Sequence, residues 1–416
     1  AYRAPLSILD ATSGQVVAQV EETAAVREIL VSDGRVVVHS QASDAEAAYF
    51  LATASDWEVR AGNTAVAIAD LQNLLPSLAP ASDAAVKTAL KLAALQAETG
   101  DYQAARKTIE PFLNNSPATL RPQLLFLLGY TFYREENYAA AEMQFRKTLA
   151  AEGQTSRQPE AIHFLVISLL EQQKTGDAME LFPRLLRLPQ DERPRLSDQL
   201  LRRLQDLYFH NSQYELSAEV CQILILSDDR EVAQQASLRL AQIMIALNQI
   251  EEARKQLTGL QKEILANTPE KTTAEDTAAR QKKLAAMESL LGETYLITGD
   301  NDQAVRAFIK ALAEEHADVL TGARANWGMA AVLKNEGRLE EALNHAVKAF
   351  VLADVPAYTP RAMLLGIEIL QALKRGDEAR TTWQELQKRY PVFAEQSRTT
   401  AVIKKLEDED HREPAS

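Results

Sequence analysis

A small residue recurs along the chain at a nearly constant interval, at Ala67, Ala105, Ala141, Ala178, Ser217, Ala253, Ala304, Ala342 and Ala379. Successive rungs are separated by 38, 36, 37, 39, 36, 51, 38 and 37 residues. Such a period belongs to stacked repeats and not to a chain folded around one core. Four residues after each rung, one helical turn on and on the same face, stand Leu71, Ile109, Phe145, Phe182, Cys221, Leu257, Phe308, Ala346 and Trp383. Each rung therefore belongs to an amphipathic helix that a neighbouring helix can approach closely. Thirteen residues before each rung come Ala54, Leu92, Leu128, Leu165, Leu204, Leu240, Leu291, Met329 and Gly366, in a second apolar stripe. Breakers follow it at Ala61-Gly62-Asn63, Thr99-Gly100-Asp101, Glu136-Asn137, Thr298-Gly299-Asp300 and Glu336-Gly337-Arg338. The unit is helix, tight turn, helix.

These residues resemble the tetratricopeptide repeat family, whose units of roughly 34 residues carry a Leu-Gly pair, an aromatic, a Gly-Asp-Tyr-type turn, then Ala, Phe, Ala and a closing Pro. Leu128-Gly129, Phe132, Tyr138, Ala141 and Phe145 match that pattern, and so do Leu291-Gly292, Tyr295, Gly299-Asp300, Ala304, Phe308 and Ala311. Pro117 and Pro391 close their units, but Gly153, Gln190 and Asp354 stand in that slot elsewhere, and the first and last thirds match less well. The resemblance implies an all-α, right-handed superhelical solenoid of about nine tetratricopeptide-like hairpins, here placed at residues 42–394. The step of 51 between Ala253 and Ala304 predicts an insertion near 261–283, with Thr273-Ala274-Glu275-Asp276 as a helix-capping signal. It is read as an elongated helix pair with a polar loop, or as a loop that contacts a partner.

Residues 1–41 change period from helical to alternating, with β-branched runs at Leu6 to Asp10, Gln15 to Val20, Arg27 to Val31 and Arg35 to His39. The phrases Leu9 to Val17 and Val31 to Val38 resemble pieces of a quinoprotein-type β-propeller blade. Two readings stay open: the last blade of a propeller, or a small meander that caps the first repeat. At the other end, residues 395–416 are expected to hold a capping helix around Ala401-Val402-Ile403 and Leu406, then a disordered acidic tail.

Charge narrows the partners. There are 45 basic and 58 acidic residues, a net of −13, which argues against nucleic acid or an anionic membrane surface. The longest apolar runs, Leu124 to Leu128 and Phe164 to Leu170, fall far short of the ~18 residues that cross a bilayer. The single cysteine, Cys221, excludes an internal disulfide and is expected to be buried packing. The chain starts at Ala1 rather than Met, so an upstream segment is expected to have been removed. A bacterial exported or periplasmic cell-envelope protein is the favoured compartment, a cytoplasmic one the other.

No phosphate-cradling glycine loop, nucleophile elbow or zinc-protease helix motif occurs, and the six histidines lack metal-ligand spacing. Paired carboxylates such as Glu340-Glu341 lie beside turns, without the burial that general acid–base work requires. The chain is read as a non-enzyme with no cofactor and no metal. In the tetratricopeptide family the first helix of each unit lines a concave groove. Those positions hold Phe126, Tyr130, Tyr133 and Arg134, then His163, then Arg202, Asp206, Phe209 and His210, and further on Arg324, Trp327 and Lys334, with Arg361 and Glu368 beyond. Aromatic and Arg side chains are the types enriched at binding hot spots. Phe126 and Phe209 could equally pack on an adjacent helix, whereas Arg134, Arg202 and Arg324 are expected to stay out of a core. The resulting reading is a protein-interaction scaffold that holds a partner peptide or protein in its groove. Its rivals are a self-associating assembly protein, an accessory region of a larger bacterial envelope protein with an upstream propeller, and a regulator with a sugar in the groove.

Overall fold

A computed structural model describes the backbone of four strands between residues 6 and 40, and residues 55–80, 82–151, 157–266, 273–352, 354–397, 401, 403 and 404. Ala54, the closing-slot residue Gly153, the centre of the insertion (267–272), Val402 and Leu406 of the expected capping helix, and the acidic tail lie outside these residues. The chain divides into two compact units, residues 1–196 and 197–416.

The first unit opens with strands β1 (Leu6–Leu9), β2 (Val16–Val20), β3 (Val26–Ser32) and β4 (Arg35–Ser40). β1 pairs antiparallel with β2 and β3 with β4, with irregular register between Ile8 and Leu9 and between Val26 and Glu28. The described strands pair as two two-stranded ribbons. Helices follow. Residues 55–60 are helical and pair with α1 (Thr64–Leu74); α2 (Asp83–Glu98) pairs with α3 (Tyr102–Ile109); α4 (Arg121–Arg134) pairs with α5 (Tyr138–Ala150). α6 (Gln158–Glu171) then pairs with α7 (Thr175–Leu181), which α8 (Pro183–Leu186) continues.

The second unit repeats the scheme with α9 (Asp198–His210) and α10 (Tyr214–Leu224), α11 (Arg230–Ala246) and α12 (Ile250–Ala266), and α13 (Ala274–Thr298) and α14 (Asn301–Ala313). It continues with α15 (Val319–Asn335) and α16 (Leu339–Val351), α17 (Thr359–Ala372) and α18 (Gly376–Arg389), and a short α19 (Pro391–Ser397). The extra length of the insertion goes into helix on both sides, and α13 starts at the expected capping box: Thr273 and Asp276 each accept the other's backbone N–H. Within each unit, first helices of successive hairpins touch: α2 with α4, α4 with α6, α11 with α13, α13 with α15, and α15 with α17.

All nine rungs are fully buried. So are their i+4 partners, Trp383 retaining a few per cent of exposure. Core volume is balanced across the hairpin. At two of the three hairpins whose i+4 residue is Phe, a glycine faces it: the Phe145 ring fills the space a Cβ on Gly129 would need, and the Phe308 ring does the same to Gly292 and Gly328, whereas Phe182 meets no glycine among the described residues. The Leu-Gly pairs in the sequence therefore make room for a ring.

The turns share one geometry. Gly62, Gly100, Glu136, Gln173, Ser212, Asn248, Gly299, Gly337 and Lys374 are left-handed, with φ between 58° and 88°, and each lies five residues before its rung. In every turn the left-handed residue donates its N–H three residues back and the next residue donates five back, as Gly100 does to Ala97 (3.1 Å) and Asp101 to Gln96 (2.8 Å). Both hydrogen bonds of this closure satisfy carbonyls at the end of the first helix. Asp101, Asn137 and Asp300 then accept a backbone N–H from the next helix, so one residue closes the first helix and caps the second. Five of the nine left-handed residues carry a Cβ, which disfavours that conformation by about 1–2 kcal/mol. Gln173→Gly and Lys374→Gly should each raise stability by about 0.5–1 kcal/mol after glycine's chain-entropy cost. Urea unfolding followed by circular dichroism checks this; a midpoint that does not rise would contradict the strain.

Candidate partner-binding site

In the first unit, α4 and α6 bring the predicted aromatics together around Phe164, a residue the groove positions do not include. Its ring centroid lies 4.9 Å from Tyr133, 5.4 Å from Tyr130 and 6.1 Å from Phe126. Tyr130 and Tyr133 lie 6.4 Å apart with nearly parallel planes. His163 meets Phe164 edge-on at 5.1 Å. All five rings are half-buried, so they are held by neighbours while one side stays open. Phe126 also touches Phe145, 5.9 Å away, so it packs on its neighbours and remains at the surface.

Arg134 is exposed and lies between two tyrosines, its guanidinium 5.6 Å from the Tyr102 ring and 5.7 Å from Tyr130. It donates a hydrogen bond to the Tyr130 hydroxyl at 2.8 Å, which raises its own pKa further. Burial, with the adjacent Tyr138, Tyr130 and Glu171, pushes the Tyr133 phenol above its ordinary value. Burial lowers the His163 pKa, with Glu160 opposing. The imidazole is therefore neutral near pH 7, and its buried Nδ1 has no hydrogen-bond partner among the described residues.

In the second unit Arg202, Asp206, Phe209 and His210 lie on α9, across from α11. Asp206 pairs with Arg239 at 3.0 Å, and the Arg239 guanidinium lies over the Phe209 ring at 4.6 Å. Phe209 also meets Tyr214 and His210 edge-on. One ring nitrogen of His210 lies 2.7 Å from the Asp206 carbonyl. Between α9 and α11 is a cleft of about 210 Å³, lined by Arg202, Asp206, Gln235 and Arg239 among others.

The late residues behave differently. Arg324, expected to stay out of the core, is only 3% exposed. Its Nε donates to the Tyr358 hydroxyl at 2.7 Å and its Nη1 to Ser289 Oγ at 3.0 Å, and its Nε lies 3.4 Å from a Glu293 carboxylate oxygen. Tyr358 in turn donates to Glu293 at 2.9 Å. A guanidinium can enter a core when its donors and charge are met there, and these partners, 31 to 35 residues away, do that. Burial pushes the Tyr358 phenol up to about 12, against the pull of Arg324. Trp327 is half-buried and packs on Tyr358 at 5.7 Å, while Lys334 is ion-paired with Glu368. Arg361 reaches over the same tyrosine at 5.8 Å. Arg324 is thus a structural brace, and Trp327 and Lys334 have partners inside their own unit.

No family model matches the chain, and no curated protein does. Solved structures similar to it are tetratricopeptide proteins. One is the tetratricopeptide domain of P58(IPK), at 12% identity over 90% of this chain and 100% of that one, with a TM-score of 0.31. Another is a tetratricopeptide repeat protein from Parabacteroides merdae, at 15% identity, 68% and 99% coverage, and 0.35. A third is the C-terminal part of a repeat protein from Cytophaga hutchinsonii, at 15%, 65% and 97%, and 0.37. The fold is a tetratricopeptide-like helical repeat. It rests on the buried ladder and the nine matching turns of this chain. Among the described residues no helix is long and apolar enough to cross a membrane, and no three His, Cys, Asp or Glu gather as metal ligands. Cys221 is buried, which raises its thiol pKa to about 12 and removes it as a nucleophile.

Proposed function

We propose that this chain is a non-catalytic interaction scaffold whose first unit binds a partner peptide through the cluster on α4 and α6. One observation carries the reading: Phe126, Tyr130, Tyr133, His163 and Phe164 pack on one another yet are only half-buried, with the Arg134 guanidinium at their edge. Rigid aromatic rings offer large contact area at little entropic cost, and an arginine beside them adds directional donors.

A displayed random-peptide library panned on the full chain tests this. Selected peptides should lose at least about tenfold in affinity with the Tyr130→Ala/Arg134→Ala double variant, the loss of one or two hot-spot side chains. Arg134 is exposed and Tyr130 half-buried at the edge of the cluster, so circular dichroism should show a folded protein with at most a modest fall in melting temperature. Selected peptides indifferent to the double variant would place binding elsewhere and sink this choice of surface.

Self-association is a second reading, favoured by one feature. On α16 and just beyond, Val347, Val351 and Leu352 are 37%, 65% and 75% exposed, an apolar strip of the kind that marks contacts between proteins. Sedimentation velocity over a hundredfold range of concentration decides it: a single monomeric species throughout ends that reading.

A further inference from the structure

Arg202 stands apart among the arginines of the second unit. It is half-buried in the cleft between α9 and α11, yet among the described residues it makes no hydrogen bond, ion pair or ring contact. Its neighbours are already committed. Arg239 donates to Asp206 and to Gln242, each at 3.0 Å, and lies on Phe209. The Gln235 amide donates to Glu231 at 2.9 Å, and the buried Gln205 donates to Ser217 at 3.2 Å. The cleft is thus a pre-set wall around one guanidinium with unspent donors. A planar fork in that condition fits a carboxylate, which it holds through two parallel N–H bonds.

Charge agrees with that assignment. Two arginines against one aspartate make the cleft locally positive in a chain of net charge −13. Salt screens the remote charges beyond about 8–10 Å, whereas a ligand in the cleft meets Arg202 and Arg239 directly. One segment of the sequence has the complementary chemistry: Glu407-Asp408-Glu409-Asp410, its only run of four acidic residues. Alternate residues of an extended segment face one side about 6.6–6.8 Å apart, so two of the four carboxylates can address one cleft.

We infer that the cleft between α9 and α11 is a carboxylate-binding site, seated on Arg202, for the chain's own acidic run. This goes beyond the scaffold reading and does not depend on the aromatic cluster.

The test uses a fluorescein-labelled peptide spanning Leu406 to Ser416 and full-length protein whose own run is neutralised by Glu407→Gln, Asp408→Asn, Glu409→Gln and Asp410→Asn. Fluorescence anisotropy should show saturable binding that weakens with added salt. Arg202→Glu should weaken it at least about tenfold, the value of a charge-assisted hydrogen bond, and a peptide with the same four amides should bind equally poorly. Asp206→Asn, which removes the competing carboxylate from Arg239, should tighten it. Because Arg202 makes no hydrogen bond, ion pair or ring contact among the described residues, Arg202→Glu should change the thermal melt little, which separates lost binding from lost folding. Tyr130→Ala/Arg134→Ala should leave peptide binding intact, so failure here and failure of the aromatic surface are distinguishable. No saturable binding, or binding indifferent to Arg202→Glu, overturns the inference.

Discussion

Arg324→Met should destabilise the second unit by about 3–5 kcal/mol, because it leaves the Glu293 carboxylate buried without its counter-charge. The two side chains are 4% and 9% exposed, and Tyr358 and Ser289 complete their hydrogen bonds. Charges in such a position contribute little net stability as a pair, since the desolvation penalty offsets their attraction. Removing one partner exposes that penalty in full. The double variant Arg324→Met/Glu293→Leu should therefore recover most of the loss. Urea unfolding read by the fluorescence of Trp327, which packs on Tyr358, in a Trp57→Phe/Trp383→Phe background, follows this region even if an array of repeats does not unfold in one step. A cost below about 1 kcal/mol for the single variant, or no recovery in the double, would mean that water reaches Glu293 and that the brace is not dry.

The same network makes an alkaline prediction. The Tyr358 phenol is raised from the ordinary value near 10 to about 12, chiefly by burial. Above pH 10 the unfolded chain releases this proton while the folded chain keeps it. The contribution is present in full below pH 10 and is lost as pH rises towards 12. Tyr208, buried on α9, is shifted in the same direction. Tyr358→Phe should flatten only part of the fall in melting temperature over that interval; an unchanged slope would show that Tyr358 ionises freely when folded.

The second large effect concerns Phe308. Phe308→Ala should cost about 3–5 kcal/mol, since the ring is fully buried. A Cβ built on Gly328 would come 2.1 Å from that ring, and one on Gly292 2.5 Å. Gly328→Ala alone should therefore cost about 1–3 kcal/mol or more through overpacking, with a ring wedged between two helices and unable to swing away. Combined with Phe308→Ala it should cost little further or even restore stability, because the new methyl enters the vacated space. A double-mutant cycle measures the coupling. Strictly additive costs would show that ring and glycine do not share that space.

The ladder was legible in the sequence because its signal is local: a small residue, an apolar one a turn later, and a breaker five residues before. Four of the nine turns declare themselves with glycine, and Glu136-Asn137 was visible as a fifth breaker. Those at Gln173, Ser212, Asn248 and Lys374 do not, since the closing hydrogen bonds and the packing of the two helices impose a conformation that residue identity does not encode. The site was legible only in part. Phe126, Tyr130, Tyr133 and Arg134 sit together as their helical spacing implies, but Phe164 is supplied by the next hairpin and falls outside the groove register. Its place in the apolar run Phe164 to Leu170 concealed it among core residues. Arg324 reads as a surface charge because nothing nearby in the sequence announces Glu293 or Tyr358. Long-range partners decide burial, and a repeat pattern does not name them.

The constant offset of five residues between each left-handed turn and its rung determines where this chain tolerates changes of length. One residue inserted between Gly299 and Ala304 would rotate α14 by about 100°. Ala304 and Phe308 would leave the core, and the hairpin would lose its seam. Between hairpins the same insertion meets no such phase: the longest step, 51 residues, falls there, and its rungs Ala253 and Ala304 remain fully buried. Length in this chain therefore varies where one hairpin hands over to the next and in the helices that flank that junction, while the five residues from turn to rung stay fixed.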